Sequence, residues 1–231
     1  MESDTLHNKN YHTGAMYMHA LTLATEAAVS RYYKPDIETT AVQIISFLLQ
    51  SMACGGEEGE VESRKSKVES GEVESEEKYN VQMLEEATMQ AERLADRGYG
   101  GYAQAIGEAM NLNYLVPAGV TEALVLPELL RAYGTKAESR IAELARKTGL
   151  VAADLPDDRT TRLFISWIEQ QRVLFELPDH IAQMRLQDFP NIIDDTLDAT
   201  LHFYPTPVFY DAIDLEQFLI PLLLPLTQQE E

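Results

Sequence analysis

Cysteine is nearly absent from this 231-residue chain, which contains only Cys54. One cysteine excludes an internal disulfide framework and is typical of a protein that works in a reducing cytoplasm. No basic residue lies near Cys54 in the sequence to lower the pKa of its thiol, so the sequence gives it no signature of a nucleophile.

Positive charge is also scarce. The chain has 18 Lys and Arg against 38 Asp and Glu, a formal net charge of −20. Nucleic acids and anionic membrane surfaces attract basic proteins, so this balance argues against both as partners recognised by charge.

Long apolar runs are missing. The N-terminal stretch MESDTLHNKN has no apolar core, which excludes a secretory signal there. The apolar run 218–226 is too short for a membrane span, and Pro221 and Pro225 interrupt it. We therefore expect a cytoplasmic protein without a membrane partner.

Parallel-strand patterns and phosphate-binding glycine motifs are absent as well. The chain has no GxGxxG, no Gly-Gly-Gly-Ser and no βαβ alternation, so we expect no cofactor, including a dinucleotide, to bind this chain alone. Apolar residues make up 45% of the chain, and their helical spacing predicts one all-α domain over 1–231. The predicted helices are 15–33 (capped by Thr13), 37–53, 79–97, two helices within 98–133, 136–147, 159–176, 189–201 and 214–224.

Residues 55–78 have a different composition. The stretch 57–77 holds nine Glu against three Lys or Arg, and it repeats Gly-Glu-Val-Glu-Ser. Without aromatic residues it offers little to bury, so we expect an acidic, low-complexity, disordered loop inserted between two helices. A role as a partner-binding segment is the alternative.

The most informative stretch is 98–133, GYGGYAQAIGEAMNLNYLVPAGVTEALVLPELLRAY. Its glycines and alanines allow close helix packing. The stretch resembles the signature region of the iron-containing (group III) alcohol dehydrogenases: a GLG turn, a His-x-x-x-His helix, Pro-His-Gly and an Asn-Ala-x-Leu-Leu-Pro helix. The matching segments here are Gly98-Tyr99-Gly100-Gly101, Pro117-Ala118-Gly119 and Glu122-Ala123-Leu124-Val125-Leu126-Pro127.

The resemblance extends to the first helix, GAMYMHALTLATEA, which is similar to the Gly-x-Asp-Ala-Leu-Thr-His-Ala-x-Glu-Ala helix of that family. It implies the helical bundle of the family's C-terminal domain, a dehydroquinate synthase-like fold. In the family, one Asp and three His hold a catalytic metal. The resemblance places His19 at the Asp position and Leu23, Gln104 and Ala118 at the His positions, which implies that no metal is bound.

Two other sets of residues are candidates for a site. Helices that carry His19 and Glu108 pack together in the family, so we predict that these side chains meet, either as a catalytic pair or as a hydrogen-bonded interior pair. A cleft for a small ligand is the second candidate; core filling is the alternative for its residues, which are Tyr17, Tyr99, Tyr102, Gln104 and Tyr114.

Three functions follow from this reading. The first is a degenerate, metal-free domain with a structural or interaction role. The second is the helical half of an NAD(P)-dependent alcohol dehydrogenase or aldehyde reductase, completed by a separate nucleotide-binding domain, because the chain begins where the family's domain boundary lies. The third is a small-ligand binder that uses the tyrosine cleft. A homo-oligomer is the alternative to a nucleotide-binding partner.

Overall fold

The computed structural model describes residues 2–53 and 80–223. Every helix and strand assignment within these two ranges is helical, which confirms the all-α prediction. The acidic segment 55–78 falls outside the described residues. The α-helices, in chain order, are α1 (Glu2–Val29), α2 (Pro35–Ala53), α3 (Val81–Asp96), α4 (Tyr102–Tyr114), α5 (Ala118–Tyr133), α6 (Glu138–Lys147), α7 (Asp157–Leu174), α8 (Phe189–His202) and α9 (Ala212–Leu219).

The long helix α1 is central to the bundle. It packs against α2, α3, α5 and α6, and its buried residues include Met18, Leu21 and Leu23. Because α1 begins at Glu2, the predicted cap at Thr13 is wrong, and Thr13 lies inside the helix. Removal of apolar surface from water on several sides of one helix is the dominant stabilising contribution here.

Glycine lets α1 and α5 approach each other closely. A Cβ atom added to Gly119 would lie 1.9 Å from the carbonyl oxygen of Ala15, inside any allowed contact. Backbone therefore meets backbone at this crossing, because no side chain separates the two helices. This contact fixes α5 against the part of α1 that carries His19.

Local signals determine where several helices begin. Asn80 caps α3 by accepting the amide of Met83. Asp211 and Asp214 form a reciprocal capping box at α9. Both arrangements satisfy amide groups that a helix start otherwise leaves without partners.

No helix among the described residues is both long enough and apolar enough to cross a membrane.

Candidate functional site

A histidine–glutamate pair lies where α1 and α5 meet. The Nδ1 atom of His19 lies 3.0 and 2.9 Å from the two carboxylate oxygens of Glu122. The Glu122 side chain is fully buried, and that of His19 is 23% exposed. The ring is therefore anchored through Nδ1 to a carboxylate in the interior, while one side of the imidazole reaches the surface.

The electrostatics favour a charged imidazole. The negative charge of Glu122 raises the pKa of His19 to about 9, although burial opposes this shift, and Glu92 and Glu108 add smaller contributions. Burial raises the pKa of Glu122, whereas the His19 charge acts in the opposite direction. We regard the pair as ionised at neutral pH, because the Glu122 charge stabilises the imidazolium by more than burial destabilises it.

A second buried carboxyl group lies at the start of α4. The side-chain oxygens of Glu26, on α1, accept the backbone amides of Ala103 and Gln104 at 2.8 and 3.1 Å. It therefore caps α4 from another helix, since Gly101, the residue at the N-cap position, has no side chain to do so. Burial raises the pKa of Glu26 to about 8 and outweighs the two amide hydrogen bonds, which lower it.

Two glycines make room for the carboxyl groups of Glu26 and Glu122. A Cβ atom on Gly101 would lie 2.4 Å from Glu26 Oε1, and one on Gly107 would lie 2.9 Å from Glu122 Cγ. The small residues of α4 therefore leave space for the side chains of Glu26 and Glu122, and they also allow close packing of the helices.

A third polar contact lies on α4 itself. Gln104 donates from Nε2 to Glu108 Oε1 at 2.7 Å, and the Tyr204 hydroxyl donates to the other Glu108 oxygen at 3.5 Å. Gln104 is buried, and Glu108 is exposed. The hydrogen-bonding partner of His19 is therefore Glu122, while Glu108 pairs with Gln104 and contributes to His19 through its charge.

The four positions that the resemblance assigns to metal ligands have different surroundings. Leu23 is buried in the core, His19 bonds to Glu122, Gln104 bonds to Glu108, and Ala118 is the first residue of α5. Leucine and alanine side chains have no donor atom for a metal. Among the described residues, no three His, Cys, Asp or Glu side chains converge so as to hold a metal ion. This donor set does not fit the metal of the family.

The predicted tyrosine cleft involves rings with separate surroundings. Tyr17 packs on Phe175 with ring centres 4.9 Å apart, and Tyr102 packs on Tyr210 at 5.2 Å. The Tyr114 hydroxyl donates to Asp188, a contact of α4 with the turn before α8. Tyr99, which is buried, lies beneath the cations of Lys34 and Arg97. The use of these residues by a ligand remains a prediction.

Glu26 and Glu122 are the functional-site candidates that sequence reasoning missed. Each is a single carboxylate within an otherwise small or apolar helical stretch, ATEAAV around Glu26 and VTEALV around Glu122. That context was the available signal, because a buried carboxylate needs a partner.

Comparisons with known proteins bear on the fold. No protein-family profile matches the chain, and no curated protein matches it either. Solved structures do. The alcohol dehydrogenase from Oenococcus oeni is 23% identical with a TM-score of 0.69, and the match covers 91% of this chain and 51% of that chain.

Two further solved structures match the same fold over a similar share of this chain. Sulfoacetaldehyde reductase from Bifidobacterium kashiwanohense, solved in complex with NAD+, is 16% identical with a TM-score of 0.66, over 92% of this chain and 50% of that chain. The iron-containing alcohol dehydrogenase from Thermococcus thioreducens is 13% identical with a TM-score of 0.59, over 90% and 49%. The chain thus spans about half the length of these proteins. Its described helices have the fold of the C-terminal, helical half of the iron-containing alcohol dehydrogenases.

Proposed function

We propose that this chain is a metal-independent helical domain in which the His19–Glu122 ion pair takes the place of a bound cation. Its role is structural or interactive, and it does not carry out redox turnover alone. The observation that carries the proposal is the contact of His19 Nδ1 with the fully buried Glu122 carboxylate at 2.9 Å. The resemblance assigns the His19 position to a metal-binding aspartate.

The charges at the His19 position support the replacement of a bound cation by an ion pair. In the family the resemblance implies, an aspartate and a metal ion meet here; in this chain the partners are an imidazolium and Glu122. Burying a carboxylate beside an imidazolium costs much less free energy than burying it without a partner. The pair therefore accounts for a stable interior without a metal.

The chemistry of the remaining donors supports the same conclusion. A metal in such a site polarises the oxygen of the substrate, and hydride transfer needs a nicotinamide. The positions of Leu23 and Ala118 supply no ligand, and the sequence supplies no dinucleotide motif. His19 alone can hold or give up a proton, which is insufficient for oxidation or reduction.

Calorimetry with Zn²⁺ and Fe²⁺ on the full chain tests the proposal. We expect no tight, stoichiometric binding by the natural sequence. A variant with His19→Asp, Leu23→His, Gln104→His and Ala118→His restores the family's ligand types, and we expect it to gain metal binding. A variant with only His19→Asp and Ala118→His is the matched control, because two donors are too few.

Stoichiometric binding by the natural sequence would overturn the proposal. A four-substitution variant that keeps its helical circular dichroism but binds no metal would overturn the assignment of these positions to ligands.

A second candidate is the helical half of an NAD(P)-dependent alcohol dehydrogenase or aldehyde reductase whose other half is a separate chain. The observation that favours it is that this chain matches half of several oxidoreductases, one of them solved with NAD+. The test is purification of the tagged chain from its own cells. A co-purified protein with a glycine-rich dinucleotide motif, and aldehyde-dependent consumption of NAD(P)H by the complex, are expected. A homo-oligomer without such consumption rules this candidate out.

A further inference from the structure

The turn between α1 and α2 meets the segment between α8 and α9 at the protein surface. The amide of Arg31, in the turn, donates to the carbonyl of Pro205 at 2.8 Å and joins the two. The guanidinium of Arg140, on α6, donates to the carbonyls of Val29 and Ser30, the residues just before Arg31. The backbone that carries Arg31 is therefore held by hydrogen bonds to two other parts of the chain.

Two aromatic rings contact the side chain of Arg31. Its Cζ atom lies 4.7 Å from the centre of the Phe209 ring and 5.2 Å from the centre of the Tyr32 ring. Both contacts are cation–π interactions, which orient the guanidinium. Phe209 is 57% exposed and Tyr32 is 61% exposed, so both rings present apolar surface to water around the arginine. Arginine and aromatic residues are the types enriched at the centres of protein interfaces.

The two cations of the turn lack carboxylate partners. No Asp or Glu oxygen of the described residues lies within 4.0 Å of the Arg31 guanidinium or the Lys34 ammonium. Both residues are exposed. A guanidinium has five N–H donors and no acceptor, so that of Arg31 is available to an anionic group from outside the chain.

The carboxylates that follow the turn already have partners of their own. Asp36 pairs with Arg97 at 3.2 Å, and Glu38 pairs with Lys147 at 2.7 Å. The hydroxyl of Tyr33 also donates to Glu38. The charges of these two carboxylates are thus met by cations other than those of the turn.

The small number of unpaired cations favours a protein as the partner. Binding to nucleic acid depends on many phosphate contacts, and the turn offers two cations on a chain with a net charge of −20. One or two carboxylates of a protein segment need no more than these two cations. At about 0.15 M salt the Debye length is about 8 Å, so charges in contact outweigh the distant negative charge of the chain.

We propose that Arg31, Tyr32, Lys34 and Phe209 form a docking surface for a protein segment that carries carboxylates next to aromatic or apolar side chains. A carboxylate of the partner accepts hydrogen bonds from the Arg31 guanidinium, and Lys34 adds a second positive charge. An apolar side chain of the partner covers Tyr32 and Phe209 and removes their surface from water. The inference rests on the interactive role in the proposed function and gives that role a surface and a class of partner.

Titration of the full chain with two synthetic peptides tests the inference. The probes are N-acetyl-Phe-Glu-Phe-Glu-amide and the same peptide with Gln in place of both Glu. At about 0.15 M salt we expect saturable binding of the Glu peptide, with NMR shifts at Arg31, Tyr32 and Phe209. It should bind roughly two- to fivefold more tightly than the Gln peptide, the effect of an exposed charge contact.

A single-stranded oligothymidylate of about ten nucleotides is the third probe, because exposed rings and cations also occur in surfaces that bind single strands. Tighter binding of the oligonucleotide than of the Glu peptide at the same residues would overturn the proposal. Equal affinities for the two peptides, or no saturation with the Glu peptide, would overturn it as well.

Two variants separate the charge from the rings. Arg31→Gln should lower the affinity for the Glu peptide to that for the Gln peptide, whereas Phe209→Ser should weaken both peptides. Arg159→Gln, at an exposed arginine near the start of α7, is the matched control and should change neither. Circular dichroism verifies that each variant is folded.

A folded Arg31→Gln protein that binds the Glu peptide as before contradicts the docking surface. Such a failure is distinguishable from a failure of the proposed function, because the calorimetry with Zn²⁺ and Fe²⁺ depends on none of these residues.

Discussion

Buried charge is the most costly feature of this protein at the scale of single residues. Glu122 is inaccessible to solvent, and its carboxylate is stabilised by the His19 ring. Removal of one partner from such a pair leaves the other charge without compensation, which costs more than the pair itself contributes.

Substitution of Glu122 by Gln removes the cause of the raised His19 pKa. We expect this pKa to fall from about 9 toward the ordinary value of 6.5. The free energy of unfolding should decrease by roughly 3 kcal/mol at neutral pH, because a buried ion-pair partner is lost. NMR titration of the His19 ring and urea unfolding measure the two effects.

The pH dependence of this pair has a defined sign. A folded-state pKa above the unfolded value means that the stabilisation is complete below pH 6.5 and is lost as the pH rises through about 9. Glu122→Gln should remove the part of the decline that comes from His19, whereas the exposed Glu143→Gln should keep it. An unchanged His19 titration in Glu122→Gln would contradict the pairing.

Glu26 gives a second prediction at this scale. Its pKa of about 8 lies above the ordinary 4.5, so it holds its proton in the folded chain at neutral pH. Stability from this group is present below pH 4.5 and is lost as the pH rises through about 8. Glu26→Gln cannot ionise and should flatten this part of the unfolding profile, at the cost of one amide hydrogen bond, about 1 kcal/mol.

The test compares urea unfolding of both proteins between pH 5 and 9. The control is Glu143→Gln, which should retain the pH dependence of the natural sequence. If the free energy of unfolding of Glu26→Gln declines between these pH values as much as that of the natural sequence, Glu26 is not protonated in the folded chain at neutral pH.

The sequence allowed only part of this site to be predicted. His19 and Gln104 were identified because a family resemblance drew attention to their positions. Glu122 and Glu26 were missed, since glutamate within a helix is usually solvated, and only the three-dimensional packing shows which face of each helix is buried. The partner of His19 depends on the crossing of α1 and α5, which residue spacing does not specify.

At the scale of helices, the approach of α1 and α5 is controlled by Gly119. A methyl group there overlaps with backbone atoms of Ala15, which cannot rotate away. We expect Gly119→Ala to separate the helices and to lower the free energy of unfolding by about 3 kcal/mol or more. Urea unfolding measures the change.

Gly149→Ala is the matched control. Its backbone has a φ of +77°, but nothing lies within 4 Å of the added carbon, so only backbone strain applies. That strain costs about 1–2 kcal/mol. Equal effects of the two substitutions would show that the backbone contact of Gly119 does not limit the helix approach.

Helix positions were largely predictable, while several boundaries were not. The apolar periodicity located α2, α3 and α8 to within about two residues of the observed ends, the usual accuracy of such boundaries. The start of α1 was misplaced because Thr13 is a favourable cap by residue type, yet the helix continues past it. A capping preference of about 1 kcal/mol does not by itself determine where a helix begins.

For the whole molecule, the formal charge of −20 dominates long-range electrostatics. Mutual repulsion of carboxylates destabilises a compact state, and salt screens it. We expect the melting temperature to rise by a few degrees as NaCl increases from about 20 to 500 mM, where the Debye length falls from about 20 to 4 Å. Scanning calorimetry at neutral pH measures this shift.

The same salt series near pH 4.5, the isoelectric point of the sequence, is the control. The rise should be much smaller there, because the net charge is close to zero. A melting temperature at neutral pH that does not respond to NaCl would show that specific ion pairs, and not net charge, determine the electrostatic balance.

A backbone hydrogen bond joins the end of α2 to the start of α3. The amide of Asn80 donates to the carbonyl of Ser51 at 3.0 Å, so the outgoing end of α2 and the incoming end of α3 are held side by side. Closure entropy grows only with the logarithm of loop length, so replacing residues 57–77 by a short Gly-Ser bridge should alter stability by only about 1 kcal/mol. Because the two helix ends are held together, the segment between them should tolerate replacement by sequences of very different length without a change in the packing of the helices.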